Sequence, residues 1–337
     1  LTSGLNQPNT RLYFHGDTSI EYSGYNWIGN PGVSYTTPTP ASNELPWVQV
    51  IGNQSSSTSV GIRGSSRDSG STIFSVGYYN LGGSQPYNSS IVYSNYNAYT
   101  LIVLANNYNN SYNSVYDTQN FFNNGMNEES MKCGISRPKS NGDIWITATR
   151  SPYGSASFTT TNNTTVNLPG VNTETALIVH YDSTGKMLWL SEIDTGGPGF
   201  SYGNGLVYTS SNVYVTGKYK SQVNVDVQLD INSPTVLPHF TGVCRMYVVN
   251  YDEGTGYPIW AFTPTSGSMS VGNHIECDSS GNVFITGKYS GGCTLSAGIS
   301  LPTSMTERAF IVKLNSSGTV QWASTIGYTD ASNIDAS

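Results

Sequence analysis

Glu276 in GNHIECD and Asp335 in ASNIDAS hold the same place in two similar short strings. Two carboxylates set side by side are the equipment of glycoside hydrolysis, one acting as acid and the other as nucleophile or base. Related strings carry Arg63, Lys132 and His274, and their alignment sets Arg63 and Val207 at the level of the two acids. No third carboxylate joins the pair, so the competing reading is a ring of charges paired in solvent. The histidines do not gather: His15, His180, His239 and His274 are spread along the chain. Cys133, Cys244, Cys277 and Cys293 show no C-x-x-C spacing, so neither a zinc centre nor any cofactor is expected.

Other residue types point to contact rather than catalysis. Between residues 78 and 127 lie nine of the 24 tyrosines and thirteen asparagines, with Asp117 as the one charge. Tyrosine supplies rigid contact area and asparagine adaptable hydrogen bonding, the mixture of a binding surface. The candidate contact residues are Tyr87, Tyr93, Tyr96, Tyr99, Tyr108, Tyr112 and Tyr116. Trp27 joins them, in the Tyr- and Gly-rich YSGYNWIGNPG. A solvated polar insertion is the plainer alternative. Asn-x-Ser/Thr acceptors stand at Asn53, Asn88, Asn109, Asn162, Asn163 and Asn315, and read as mild support for a secreted glycoprotein.

The totals narrow the classes. Only 10% of the 337 residues are charged, so Asn, Ser, Thr, Gly and Tyr must cover the surface. A net charge of −7 without a basic block argues against nucleic acid as partner. No apolar run approaches the ~18 residues that span a bilayer. The chain starts at Leu1 without a signal-like stretch and reads as a processed product or fragment. Location is expected to be extracellular, at a cell surface or at a virion surface.

The elements that must position these residues come in a repeat of about 70 residues. LYFHG (12–16), IFSVG (73–77), IWITA (144–148), VYVTG (213–217) and VFITG (283–287) form one series of apolar strands closed by turns. WVQVIG, WLSEI, WAFTP and WASTIG, starting at Trp47, Trp189, Trp260 and Trp322, form a second. Its missing member is expected at Phe121 and Phe122. A third series, TLIVLA, ALIVHYD, MYVVNYD and AFIVKLN, precedes the tryptophans across DSTG, DEGTG and NSSG, which read as hairpin turns rather than calcium loops. TSVGIRG, ESMKCGI, GNGLVYT and GNHIECD supply a fourth strand ahead of the others. No long segment shows helical periodicity. Repeated four-stranded units predict a β-propeller, because one such sheet cannot bury both faces and a ring of them can.

The string AFIVKLNSSGTVQWASTIG, followed by the DSSGNVFITG pattern, resembles the SBBP-type β-propeller repeat of bacterial, archaeal and some viral surface proteins. The likeness is close over 176–337 and degenerate before it. It implies the fold and no shared catalytic motif.

The strand count predicts an all-β chain of five antiparallel blades in one domain. Four span roughly 58–123, 129–193, 203–263 and 271–326. The fifth joins 332–337 to 12–51, with Leu12 opening a second strand and Trp47 on the fourth, so that no sheet edge is left. Trp189, Trp260 and Trp322 are expected to pack between blades. A Cys244–Cys293 bridge is expected between adjacent blades, with Cys133 and Cys277 outside any bridge. The functional expectation is a non-enzymatic structural or adhesion propeller whose partner is itself, in a fibre or layer, or surface glycans and proteins. A lectin is the first alternative and a channel glycosidase using Glu276 and Asp335 the second.

Overall fold

The computed structural model describes residues 133–136, 139–150, 156–168, 172–195, 198–221, 236–238 and 243–326. It also gives the backbone pairing of strands at 12–14, 48–50, 59–67, 72–80, 98–107, 113–122 and 227–228. Among these residues all regular structure is antiparallel β-sheet, with no helix.

Four four-stranded sheets follow one another, each a meander in chain order. Sheet 1 comprises Ser59–Arg67, Thr72–Asn80, Ala98–Asn107 and Asn113–Phe122. Sheet 2 comprises Gly134–Ile135, Ile144–Arg150, Thr175–Tyr181 and Met187–Ile193. Sheet 3 comprises Gly199–Tyr208, Asn212–Ser221, Arg245–Asp252 and Pro258–Phe262. Sheet 4 comprises Ser270–Cys277, Val283–Tyr289, Arg308–Leu314 and Val320–Ile326. The strings IFSVG, IWITA, VYVTG and VFITG are thus the second strands of sheets 1 to 4.

The cores lie between sheets, not within them. Trp145, Ile178 and Trp189 of sheet 2 pack on Val213, Val249 and Tyr251 of sheet 3. Tyr214 and Val248, on the other face of sheet 3, pack on Ile285, Val312 and Leu314 of sheet 4. Strands of sheets 2 and 3 therefore read as continuously buried runs, such as Ile144–Arg150 and Thr175–Tyr181. Val283–Tyr289 of sheet 4 alternates instead, with Val283, Ile285, Gly287 and Tyr289 buried and the residues between them half-exposed. One side of sheet 4 is packed and the other is open.

Three differences from the sequence reading follow from register. Leu12 pairs with Val50 and Phe14 with Val48, so these strands are direct neighbours, not the second and fourth of a blade with a third between. In the fourth strands a bulge sets Trp189 opposite His180, Trp260 opposite Asn250 and Trp322 opposite Lys313. In sheet 1 the bulge falls two residues nearer the glycine end of the second strand, with Asp117 opposite Val103. The residue level with the tryptophans, across from Ala105 and Phe74, is Ser114, not Phe121 or Phe122; apolar character misled where register decides. The third concerns the first strands, whose bulges fall at Arg63, Asn204 and Asn273, which therefore share one level. Arg63 thus stands level with Asn273 and not with Glu276, because the bulge adds a residue that plain spacing does not show.

Short extra hairpins occupy the connections between second and third strands. Ala156–Thr159 pairs with Thr165–Leu168, Val227–Gln228 with Val236–Leu237, and Cys293–Ser296 with Ile299–Leu301. In an antiparallel meander these connections emerge at the end opposite the first-to-second and third-to-fourth turns. The residues 332–337, expected to close a fifth blade, lie outside the described residues.

Candidate functional site

The most heavily built region is the seam between successive sheets, where two tryptophans do the same work. Trp189 Nε1 donates to the Glu253 carbonyl at 2.8 Å, and Trp260 Nε1 donates to the Ser316 carbonyl at 3.0 Å. Glu253 and Ser316 each follow the first residue of a third-to-fourth turn in the next sheet. Asp252 Oδ1 accepts from Thr255 N at 2.8 Å, and Asn315 Oδ1 accepts from Thr319 N at 2.9 Å, which fixes those turns. The hydrogen bonds from Thr255 hold the Asp252 carboxyl below its ordinary range.

Each turn ends in a glycine with positive φ, Gly256 at 74° and Gly318 at 82°. A Cβ on Gly256 would lie 2.6 Å from Trp189 Cδ2, and one on Gly318 2.8 Å from Trp260 Cε3. The indole therefore lies flat on a turn that both backbone sterics and contact restrict to glycine. The sequence reading of these tryptophans as inter-sheet packing holds for Trp189 and Trp260. Trp322 differs: it is 41% exposed, against 8% for Trp189.

The seam between sheets 2 and 3 also buries titratable groups. His180 stacks on Trp145 with centroids 4.1 Å apart and meets the edge of Trp189 at 5.6 Å. Tyr208 stacks on the same Trp145 at 4.5 Å. Asp143 Oδ2 stands 3.6 Å from His180 Nε2, and Lys139 pairs with Glu253 at 3.0 Å. Burial lowers His180 to a pKa of about 4, opposed by Asp143 and Glu253. A neutral imidazole between indoles, with its carboxylate beyond hydrogen-bond distance, is structural packing with a latent charge. Spacing gave no signal for this cluster, because Asp143, just before the second strand, and His180, on the third, stand far apart in one repeat and Glu253 comes from the next.

Among the described residues the neighbour of the Glu276 carboxylate is a histidine. The carboxylate is exposed and lies 3.5 Å from His274 Nε2, both side chains being 60% accessible. Register places Ser66 and Val207 at its level in sheets 1 and 3. Asp335 and Lys132 lie outside the described residues. Among the described residues no group of three His, Cys, Asp or Glu side chains is placed to hold a metal ion.

The contact candidates are only partly described. Tyr87, Tyr93, Tyr96, Tyr108, Tyr112 and Trp27 lie outside the described residues. Tyr99 is on the third strand of sheet 1, opposite Asn80 and Phe121. Tyr116 occupies the bulge of the fourth strand, where sheets 2 and 3 carry Leu188 and Ile259, 43% and 50% exposed.

The cysteines form no disulfide. Cys244 and Cys293 do approach the same residue. Ser270 N donates to the Cys244 carbonyl at 3.1 Å, and the Ser270 hydroxyl is hydrogen-bonded to the Cys293 thiol. Burial pushes Cys293 up to about 11, which holds it as an unreactive thiol. The expected bridge is therefore replaced by a shared serine. Of the acceptor asparagines, Asn53, Asn88 and Asn109 lie outside the described residues. Asn162 and Asn163 form an exposed hairpin tip, with Asn163 at φ 58° and its Oδ1 accepting from Lys186 Nζ at 2.7 Å. Asn315 is engaged in its turn through Oδ1.

No family model matches the chain. The chain is similar to an uncharacterized WD repeat-containing protein, L264, of Acanthamoeba polyphaga mimivirus, at 30% identity over 173 residues. The match covers 48% of this chain and 12% of the relative, so this chain spans a small part of the length of the protein it resembles. WD repeats are four-stranded propeller blades, the same unit as the sheets here.

Proposed function

We propose that the chain is a non-enzymatic propeller of five blades, acting as a structural or adhesion module at a cell or virion surface. The observation that carries this reading is where the chemistry-bearing side chains go. Trp189, Trp260, His180, Asp252 and Asn315 all hold sheet to sheet or fix the turns that do so. Among the described residues Glu276 has a solvent-exposed histidine beside it. Propellers serve many functions, so the reading rests on this site and not on the fold. The SBBP-type likeness favours a surface protein. The fifth blade takes its inner strand from 332–337 and outer strands from the N-terminal segment, where Leu12–Phe14 and Val48–Val50 are direct neighbours.

Electron microscopy of the purified chain tests the reading. Rings of five blades, alone or in fibres or layers, are the expected image. Chromogenic glycoside hydrolysis that Glu276→Gln abolishes would overturn the non-enzymatic reading. Saturable binding on a glycan array would place a lectin function ahead of a structural one.

A further inference from the structure

The open side of sheet 4 repeats a side that sheets 2 and 3 bury. By register, Trp145, Tyr214 and Phe284 are equivalent, as are His180, Asn250 and Lys313, and Trp189, Trp260 and Trp322. The first member of each set is buried against sheet 3, and Tyr214 and Asn250 are buried at the next seam. In sheet 4 the set is a surface cluster. Trp322 lies 6.3 Å from Phe284, Lys313 Nζ stands 5.2 Å from the Phe284 centroid, and Ile326, farther along the same strand on the same face, is 45% exposed. A contiguous apolar patch rimmed by charge marks an interaction surface.

We propose that this face is the seat of residues 1–51 of the same chain, a placement that rests on the five-blade reading and locates its last seam. Two observations select this occupant. The first is pattern: the segment carries strings like those of the strand series, LYFHG and the Trp47 string, and it supplies β-strands, Leu12–Phe14 paired directly with Val48–Val50. The second is charge. The face offers Lys313, at the position where sheet 2 holds His180 within the field of Glu253 from the following sheet. The segment carries Asp17, Glu21 and Glu44 against a single cation, Arg11. All three acids fall between the paired strands, in the connection that leaves the pair at the Phe14–Val48 end. Lys288, the other cation of this face, is already matched by Glu307 at 3.1 Å. Lys313 also lies in the field of Asp278, a turn residue of its own sheet, and is the cation directly opposite Trp322; it is the residue the acidic connection meets, and Trp322 the indole it covers.

Two measurements on the full chain test the seat. Ser324, exposed on the fourth strand beside Trp322, and Ser280, exposed on a turn away from this face, are each replaced by cysteine. Thiol labelling is followed by peptide mass spectrometry. With the seat occupied, Ser324→Cys labels at least ~10-fold more slowly than Ser280→Cys, as protection follows local opening. Carbodiimide cross-linking joins Lys313 to Asp17, Glu21 or Glu44 at monomer mass. Equal labelling rates overturn the proposal. So do Lys313 cross-links found only in covalent dimers, with protection that grows with protein concentration, which would make a second copy the occupant. A five-bladed image with a bare Ser324 sinks the seat and leaves the ring. Another blade number with Lys313 joined to the segment sinks the ring and leaves the seat.

Discussion

His180 is the residue with the most to lose from a change of pH. It sits between Trp145 and Trp189, 4% exposed, and titrates at about 4 instead of 6.5. A base whose folded pKa is lowered favours the folded state above its unfolded value. That contribution is lost as pH falls, because protonation then favours the unfolded chain. The groups facing it are Asp143, Glu253 and Lys139, and the two acids soften the loss without removing it. The melting temperature is expected to be flat above about pH 6.5 and to drop between there and about pH 4. Asp252 and Asp278, both lowered by hydrogen bonds in their turns, add their losses only below the ordinary carboxylate range. His180→Asn, the residue sheet 3 uses at this place, should flatten the drop. Thermal melts of both proteins across this window check the sign, and a wild-type profile without the drop refutes it. Such a residue was not legible in the sequence. His180 is one histidine in ALIVHYD, and its burial arises only when Trp145 and Trp189 close on it. The fourth strand of sheet 1 was misplaced for a similar reason: Ser114 takes the level of the indoles, and only the register shows it.

The indole–turn contact is the unit that joins sheets, and its cost can be measured at one seam. Trp260 spans from sheet 3 to the Ser316 carbonyl and lies on Gly318. Trp260→Ala removes the packing and the hydrogen bond, and is expected to cost about 3 kcal/mol. Gly318→Ala attacks the same contact from the other side. Its Cβ would stand 2.8 Å from Trp260 Cε3 at a φ of 82°, and a loss of about 1–3 kcal/mol is expected. Urea unfolding of each, and of the double variant, decides whether they report one contact. Losses that simply add would mean two independent effects. At this scale the sequence was informative. In sheets 2 to 4 the second, third and fourth strands were marked by β-branched or aromatic runs, and the third-to-fourth turns by DSTG, DEGTG and NSSG. The hairpins at 156–168, 227–237 and 293–301 escaped notice because their strands are two to four residues long. Such strands give no readable alternation, and TTTNNTT reads as a loop.

Closure decides what the whole molecule can do. Sheet 4 is the last described sheet and has one open side, so something must follow it for its face to be buried as those of sheets 2 and 3 are. The string ASNIDAS matches a first strand and LYFHG a second, and each alone would present a row of unpaired N–H and C=O groups. Pairing them within one chain gives a closed monomeric ring, favoured by the high effective concentration of two ends tethered together. Pairing the same strand with the next molecule conserves every hydrogen bond but links subunits head to tail, a contact that does not close and grows into a filament. The two routes respond oppositely to one deletion. Removing residues 331–337 is expected to lower the melting temperature of the monomer and to leave any subunit contact unchanged, since the lost strand serves its own ring. Light scattering and thermal melts on the same samples read both quantities together. A truncated chain that melts like the full one but no longer polymerises would assign the strand to the neighbour, and the termini, not the tyrosine-rich connections, would then be the assembly device.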